Sequence, residues 1–355
     1  MRIGIIAPPW IPIPPKAYGG IESFIDTLAR ALQDAGHDVV LAASDDSTSP
    51  VRRLAGLEPS DPATMGVTAH ELRHLLRAFA GLSDVDVILD NTLAGPIIAR
   101  IAATAPVATV AHGPLIPLEQ ELYLAAADQV SFVAISHRQA ALAGRVPIAR
   151  VIHHGIRVDD VPIGSGGGSA CFVGRMHPTK GIPEAIRAAE IAGVPLRIAA
   201  KMQEPAEREY FDEVVKPLLG PDIEYLGELD AEEKYALMGD SCALLNPIQW
   251  EEPFGLVMIE ALAAGTPVVA TPHGAVPEII EEGRTGYVQS EPGDLARALL
   301  DAVDLNRAVC RHAAETRFSD TRMADDYTEF FTDLLRRRRA VERAGASRAA
   351  AITLE

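Results

Sequence analysis

The chain has 355 residues, enough for two domains of ordinary size, each with its own core, so a single small module is excluded. Its 48% hydrophobic and 5% aromatic content suits a soluble α/β enzyme built on Val, Ile, Leu and Ala, not a membrane or disordered chain. The formal charge of -17 repels a phosphate backbone, which disfavours nucleic acid as a partner and requires any phosphate ligand to be held locally.

The N-terminal run "MRIGIIAPPWIPIPP" is apolar but broken by prolines and lacks a small-residue cleavage pattern, so it reads as a first strand and not as a signal peptide. After a loop, Ile21, Phe24, Ile25, Leu28 and Leu32 follow helical spacing; Gly36 closes that helix and "DVVLAAS" is the next strand. The loop between them, "PPKAYGGIES", carries Gly19 and Gly20 at a helix N-terminus, either an ordinary turn or a place where backbone approaches an anion. Its spacing is neither G-x-G-x-x-G nor a Walker loop, which removes support for NAD and ATP. Glu22 follows and either faces a ligand or caps the helix.

"HELRH", His70 to His74, has the H-E-x-x-H spacing of zinc proteases, but a Thr68–Glu71 capping box explains the glutamate and an amphipathic helix explains the rest. Asp84 and Asp86 form an Asp-x-Asp immediately before the strand "VDVILDN", where solvation and capping suffice. No metal site is expected. His112 ends the strand "VATVAHG" at the edge where catalytic groups collect; it is a structural histidine or a contact for a reacting group. With "SFVAIS" the strand–helix rhythm continues, implying parallel strands and crossover helices.

"SGGGS", Ser165 to Ser169, is flexible, and beyond it the rhythm restarts with "ACFVGRM", "PLRIAAKM", "IEYLGE", "CALLNPI" and "PVVATP". The expected organisation is a first Rossmann-like domain over 1–160, a second over 161–320, a helix over 321–345 packing back on the first, and a tail over 346–355. Ligands of such sheets bind beyond the carboxyl ends of the strands, so the site belongs in the cleft between the lobes. In "FVGRMHPTKG", Arg175 follows a strand and Lys180 opens the next helix; they are either solvated cations or counter-charges for a diphosphate.

"WEEPFGLVMIEALAAGTPVVAT" holds two carboxylates, Glu252 ahead of a helix beginning near Gly255 and Glu260 within it. A carboxylate in so apolar a helix needs a donor: a basic side chain, or the hydroxyls of a sugar or ribose. Cys171, Cys242 and Cys310 have no C-x-x-C spacing, which fits a reducing cytoplasm and neither disulfides nor a thiolate metal site. Arg336 to Arg339 is a weak candidate for contact with anionic lipid and otherwise the solvated end of a helix. The preference for Arg over Lys and the abundant Ala point to a GC-rich bacterial genome.

Together, "YGGIE", "VGRMHPTKG", "EEPFGLVMIEALAAGTPVVAT" and "GAVPEIIEEGRTGYV" resemble the GT-B retaining glycosyltransferases of family 4, over nearly the whole chain. The resemblance implies that Gly19 and Gly20 lie against donor phosphates and that Arg175 and Lys180 bind the diphosphate without a metal. It implies that Glu252 contacts donor-sugar hydroxyls and Glu260 the ribose, with the backbone of Phe254, Gly255, Leu256 and Val257 along the sugar and phosphate. His112 corresponds to the family's histidine after an N-domain strand, although "AHGPL" departs from the longer signature, and Glu22 falls on the acceptor side. The implied reaction moves a sugar from a nucleotide-diphosphate sugar, a co-substrate and not a cofactor, to a small or lipid-linked acceptor. The catalytic set is His112, Arg175, Lys180 and Glu252. A nucleotide-sugar 2-epimerase of the same fold, and a sugar-nucleotide-binding protein without catalysis, are the alternatives; donor base and acceptor are not identified.

Overall fold

The computed structural model describes residues 1–16 and 19–352; Tyr18 of the "YGGIE" motif and positions 353–355 of the expected tail lie outside the described residues. Seven parallel strands form the first sheet: β1 (Arg2–Ile6), β2 (Asp38–Ala42), β3 (Arg52–Arg53), β4 (Val87–Asp90), β5 (Val107–Ala111), β6 (Val130–Ala134) and β7 (Ile148–Val151). Their spatial order is β3-β2-β1-β4-β5-β6-β7. The second sheet has six parallel strands: β8 (Ala170–Arg175), β9 (Leu196–Lys201), β10 (Ile223–Gly227), β11 (Leu244–Asn246), β12 (Val268–Ala270) and β13 (Gly286–Val288), in the order β10-β9-β8-β11-β12-β13.

The central strands are runs of Val, Ile, Leu and Ala because helices cover both of their faces, and Ile3, Ile5, Leu89, Leu244 and Val268 are fully buried. In the first sheet the strand order reverses between β1 and β4, and in the second between β8 and β11. A reversal opens a crevice at the carboxyl edge, because crossover helices on its two sides leave to opposite faces. The chain segments leaving β1, β4, β8 and β11 therefore supply the floor of each crevice.

The helix Gly20–Asp34 buries Phe24, Ile25, Leu28 and Leu32, the stripe that its spacing predicts. Each such side chain contributes about 1.5–3 kcal/mol by burial. The last helix, Asp320–Ile352, packs Tyr327 and Phe331 into the same core, and its Thr328 Oγ1 lies 3.0 Å from His37 Nε2. It begins one residue before the expected 321, and its backbone continues helical past the expected 345 through Ile352. Arg336 pairs with Asp333 on this helix, and Arg338 donates to the Thr104 carbonyl. Among the described residues no helix is long and apolar enough to cross a membrane.

The capping box read at Thr68–Glu71 is absent. The helix Thr68–Gly81 begins at Thr68 itself, with Val67 as its cap and no side-chain cap bond. Glu71 is instead buried under the turn after β4, where its Oε1 accepts the Leu93 and Ala94 N–H groups, both at 3.1 Å. Those two donors open the helix Gly95–Ala102, so Glu71 serves a neighbouring helix N-terminus and not its own. His74 Nε2 donates to the Ala7 carbonyl at 2.9 Å, while His70 is exposed. Asp84 and Asp86 both hold Arg2, through its guanidinium at 2.7 Å and its backbone N–H at 2.7 Å, at the edge of the first sheet opposite the crevice.

Candidate active site

The second lobe presents its charged groups where β8 and β11 end. Arg175, the last residue of β8, sends its guanidinium to the helix Pro205–Tyr210, with Nε 2.5 Å from Glu207 Oε1 and Nη2 3.2 Å from Glu204 Oε2. Burial would raise the Glu207 carboxyl, but the Glu204 and Gln203 N–H groups and Arg175 outweigh it and hold the carboxyl below its usual range. Lys180 ends the short turn Pro178–Lys180, with Nζ 2.5 Å from Glu252 Oε2, and stands over the Trp250 ring at 5.5 Å. Trp250 Nε1 donates to the same Glu252 oxygen at 2.7 Å. Arg175 and Lys180 thus flank His177, whose pKa is lowered by burial and by both cations, yet each is committed to a different carboxylate.

Glu260 lies in the helix Leu256–Ala263 and is paired with Lys234 Nζ at 2.6 Å. Both acids of the E-x7-E stretch therefore have a lysine partner, and the two lysines come from different helical turns of the lobe. Lys234 was not singled out in the sequence: it sits in "AEEKYAL", a charged helix with no motif around it. The N-terminus of Leu256–Ala263 lies between Glu252 and Glu260 and leaves first-turn N–H groups without intrahelical acceptors. Gly255 caps it at φ 96°, where a Cβ would stand 2.7 Å from Met258 Cε. Gly274 (φ 58°) lets the chain cross directly over Glu252, since a Cβ there would lie 2.0 Å from the Glu252 carbonyl oxygen.

Across the cleft, the Gly19–Gly20 turn reaches this helix: a Cβ on Gly20 would be 3.7 Å from Leu256 Cδ1. Glu22 is buried behind the turn, its carboxyl raised by desolvation and opposed only by a bond to its own backbone N–H. The cap residue of the helix Gly20–Asp34 is Gly19, which has no side chain to offer, and Glu22 sits in the first turn.

His112 follows β5. Its Nε2 lies 3.0 Å from Asn91 Oδ1, and Asn91 Nδ2 donates to the Ile6 carbonyl at 3.0 Å. The amide is thus oriented by a backbone acceptor, so its oxygen faces the imidazole and Nε2 carries the proton. Nδ1 is left as an acceptor. Burial pulls the His112 pKa down to about 3, so the ring is neutral at pH 7. Asn91, missed in the sequence, is held by a turn anchored on Asp90, whose carboxyl accepts from Thr92 Oγ1 at 2.8 Å and Thr109 Oγ1 at 2.9 Å and is pushed up to about 7 by burial. His154 stacks against His112 with centroids 5.7 Å apart and packs on Phe24 and Phe254.

The lobes are clasped beside this site. Arg138 forms a two-pronged pair with Glu251, Nε–Oε2 2.8 Å and Nη2–Oε1 2.9 Å, one residue from Glu252. Glu278 accepts the His137 and Arg138 N–H groups at 2.8 and 2.7 Å, and His153 Nε2 lies 2.8 Å from its Oε2.

Two parallel-sheet lobes facing each other across a cleft are the GT-B arrangement of glycosyltransferases. The pattern described as "Glycosyltransferase Family 4" matches residues 18–160 and that of "Glycosyl transferases group 1" matches residues 160–317, and the chain belongs to glycosyltransferase family 4. It is 25% identical over 363 residues to a phosphatidyl-myo-inositol mannosyltransferase of Propionibacterium freudenreichii, covering 89% of this chain and 87% of that one. A 41.2 kDa protein of the cps region of Klebsiella pneumoniae is 27% identical over 166 residues, 45% of each chain, so this chain spans about half of that relative. Among solved structures, AviGT4, a glycosyltransferase of avilamycin A biosynthesis, superposes with a TM-score of 0.72 at 26% identity over 94% of this chain and 98% of its own. Anabaena Alr3699/HepE, in complex with UDP and glucose, superposes at 0.74 with 19% identity, over 94% and 99%.

Proposed function

We propose that the chain is a retaining, metal-independent transferase of the cytoplasm that moves a sugar from a nucleotide-diphosphate sugar to a small-molecule or lipid-linked acceptor. The observation that carries this reading is the pair of lysine-held carboxylates, Glu252 and Glu260, on either side of a helix N-terminus that faces Gly20. An incoming donor replaces internal partners with better ones. Its ribose hydroxyls donate to Glu260, its sugar hydroxyls donate to Glu252, and its diphosphate takes the charge of Lys180 and Arg175. Backbone from Phe254 to Val257 lines the sugar and phosphate, and the Gly19–Gly20 turn closes over them.

As the bond from the anomeric carbon to the phosphate oxygen breaks, negative charge grows on the leaving phosphate. Fixed cations and helix amides stabilise that charge without reorganising, which is the largest single source of catalysis in such sites. The acceptor hydroxyl attacks from the same face and its proton passes to the departing phosphate oxygen, so the anomeric configuration is kept and no enzyme nucleophile is required. Neutral His112 accepts a donor-sugar hydroxyl through Nδ1, and Glu22 faces the acceptor.

The test is thermal stabilisation by UDP, GDP and ADP and their sugars, followed by NMR of the product anomer with and without chelator. One nucleotide is expected to stand out, and the product is expected to keep the donor configuration with turnover unaffected by chelation. An inverted product would overturn the mechanism, abolition by chelator would overturn metal independence, and an epimer formed from donor alone would favour the isomerase.

A further inference from the structure

Three metal-ligating side chains meet where the lobes clasp. His137 opens the helix His137–Leu142 of the first lobe, His153 follows β7, and Glu278 comes from the helix Val276–Ile279 of the second. One donor atom from each lies within 4.8 Å of the other two, and among the described residues no other group of three His, Cys, Asp or Glu meets that condition. The two imidazoles meet edge to face with centroids 5.7 Å apart. Around a tetrahedral zinc, donors at about 2.0–2.2 Å from the ion stand about 3.3–3.5 Å from each other. To admit an ion, His153 and Glu278, now 2.8 Å apart, would spread by about half an ångström or a little more, and the His137 donor, within 4.8 Å of both, would close in.

We propose that His137, His153 and Glu278 form a lobe-bridging site for a zinc-class divalent ion, with its fourth position open to water. Two imidazoles and one carboxylate are a donor set that zinc accepts with an open position. The carboxylate is already oriented: the His137 and Arg138 N–H groups hold its two oxygens at 2.8 and 2.7 Å, the outer-shell support that ligating carboxylates normally have. His137 is exposed, which gives an ion its entry, while the Phe254 and Phe318 rings lie 5.7 and 6.2 Å from the His153 ring on the inner side. The neighbouring cations have other partners, Arg138 with Glu251 and Arg317 with Glu281 and the Glu278 and Ile279 carbonyls.

Because two donors belong to one lobe and the third to the other, occupancy favours the clasped arrangement over an open one. The ion acts as a staple. It does not replace Arg175 or Lys180 at a diphosphate, and the inference stands independently of the donor proposed above.

The experiment uses the full chain after exhaustive chelation. Zinc chloride is titrated by calorimetry, and cobalt(II) is added as a spectroscopic probe of tetrahedral coordination. One equivalent per chain is expected, with visible cobalt bands of tetrahedral intensity and at least a tenfold loss of affinity in His137→Ala and in His153→Ala. His137 is exposed, so His137→Ala serves as the variant least prone to misfolding, and its circular dichroism checks this. X-ray scattering is expected to show a zinc-dependent fall in radius of gyration that is absent in His137→Ala. The proposal is overturned if zinc binds without stoichiometry, if affinity is unchanged in both variants, or if binding leaves the scattering profile of the wild-type chain unaltered.

Discussion

Replacing Lys180 with Met separates its pairing with Glu252 from the phosphate role proposed for it. Lys180 Nζ sits 2.5 Å from Glu252 Oε2, and the two side chains are only 17% and 14% exposed. Removing the cation leaves Glu252 with Trp250 Nε1 as its remaining donor to that oxygen. Breaking a fully buried pair costs about 3–5 kcal/mol; at this partial exposure the loss is roughly 2–3 kcal/mol. At about 2–4 °C per kcal/mol for a lobe of this size, the melting temperature should fall by roughly 5–10 °C. In the proposed reaction the same substitution also removes a cation from the leaving phosphate, which would cost about 10²- to 10³-fold in kcat.

The two effects come apart in the double variant Lys180→Met/Glu252→Gln. Neutralising the stranded acid restores most of the melting temperature, because the buried charge is gone, but it cannot restore a positive charge to the phosphate. Differential scanning fluorimetry and steady-state transfer kinetics on the single and double variants read both quantities. If the folded single variant turns over within about threefold of wild type, Lys180 is a structural counter-ion and the phosphate role assigned by analogy to a preorganised site is wrong.

Glu260→Ala should weaken nucleotide affinity about 10- to 100-fold, the worth of one to two charge-assisted hydrogen bonds from ribose hydroxyls, and calorimetry giving an unchanged Kd would rule out the ribose contact. His74 is held neutral, its pKa lowered by burial to about 4, so the unfolded chain binds the extra proton as pH falls from about 6.5 to 4. Stability is therefore full above pH 6.5 and drops across that window by up to about 3 kcal/mol from this residue. Urea melts of His74→Asn, whose amide can still donate to the Ala7 carbonyl, should show a shallower slope, and a slope equal to wild type would contradict the assignment. Glu71→Ala should destabilise the chain by about 1–3 kcal/mol by stranding the Leu93 and Ala94 N–H groups, whereas His70→Ala leaves the melting temperature unchanged. Equal effects of the two substitutions would return the role of this segment to its own helix.

Much of this protein was legible in the order of its residues. Periodic apolar runs separated by glycine turns define parallel strands and crossover helices, because burial on both faces of a sheet and on one face of a helix leaves different spacings. The E-x7-E spacing likewise announced two carboxylates flanking a helix start, since seven intervening residues carry the chain from the approach loop into the second helical turn. Partners far apart in the chain were not legible. Thr68 and Glu71 have the spacing of a capping box, yet Glu71 turns to Leu93 and Ala94, because two part-buried N–H groups at the start of a neighbouring helix compete more strongly than its own exposed helix end. Lys234 reaches Glu260, and Asn91 sets the His112 tautomer, only because β4 and β5 end side by side and the helix Ala231–Gly239 lies along Leu256–Ala263. Local spacing determines elements and their buried faces through short-range sterics and burial; which charge meets which across 20 to 140 residues is decided by strand order and lobe closure, which no local pattern encodes.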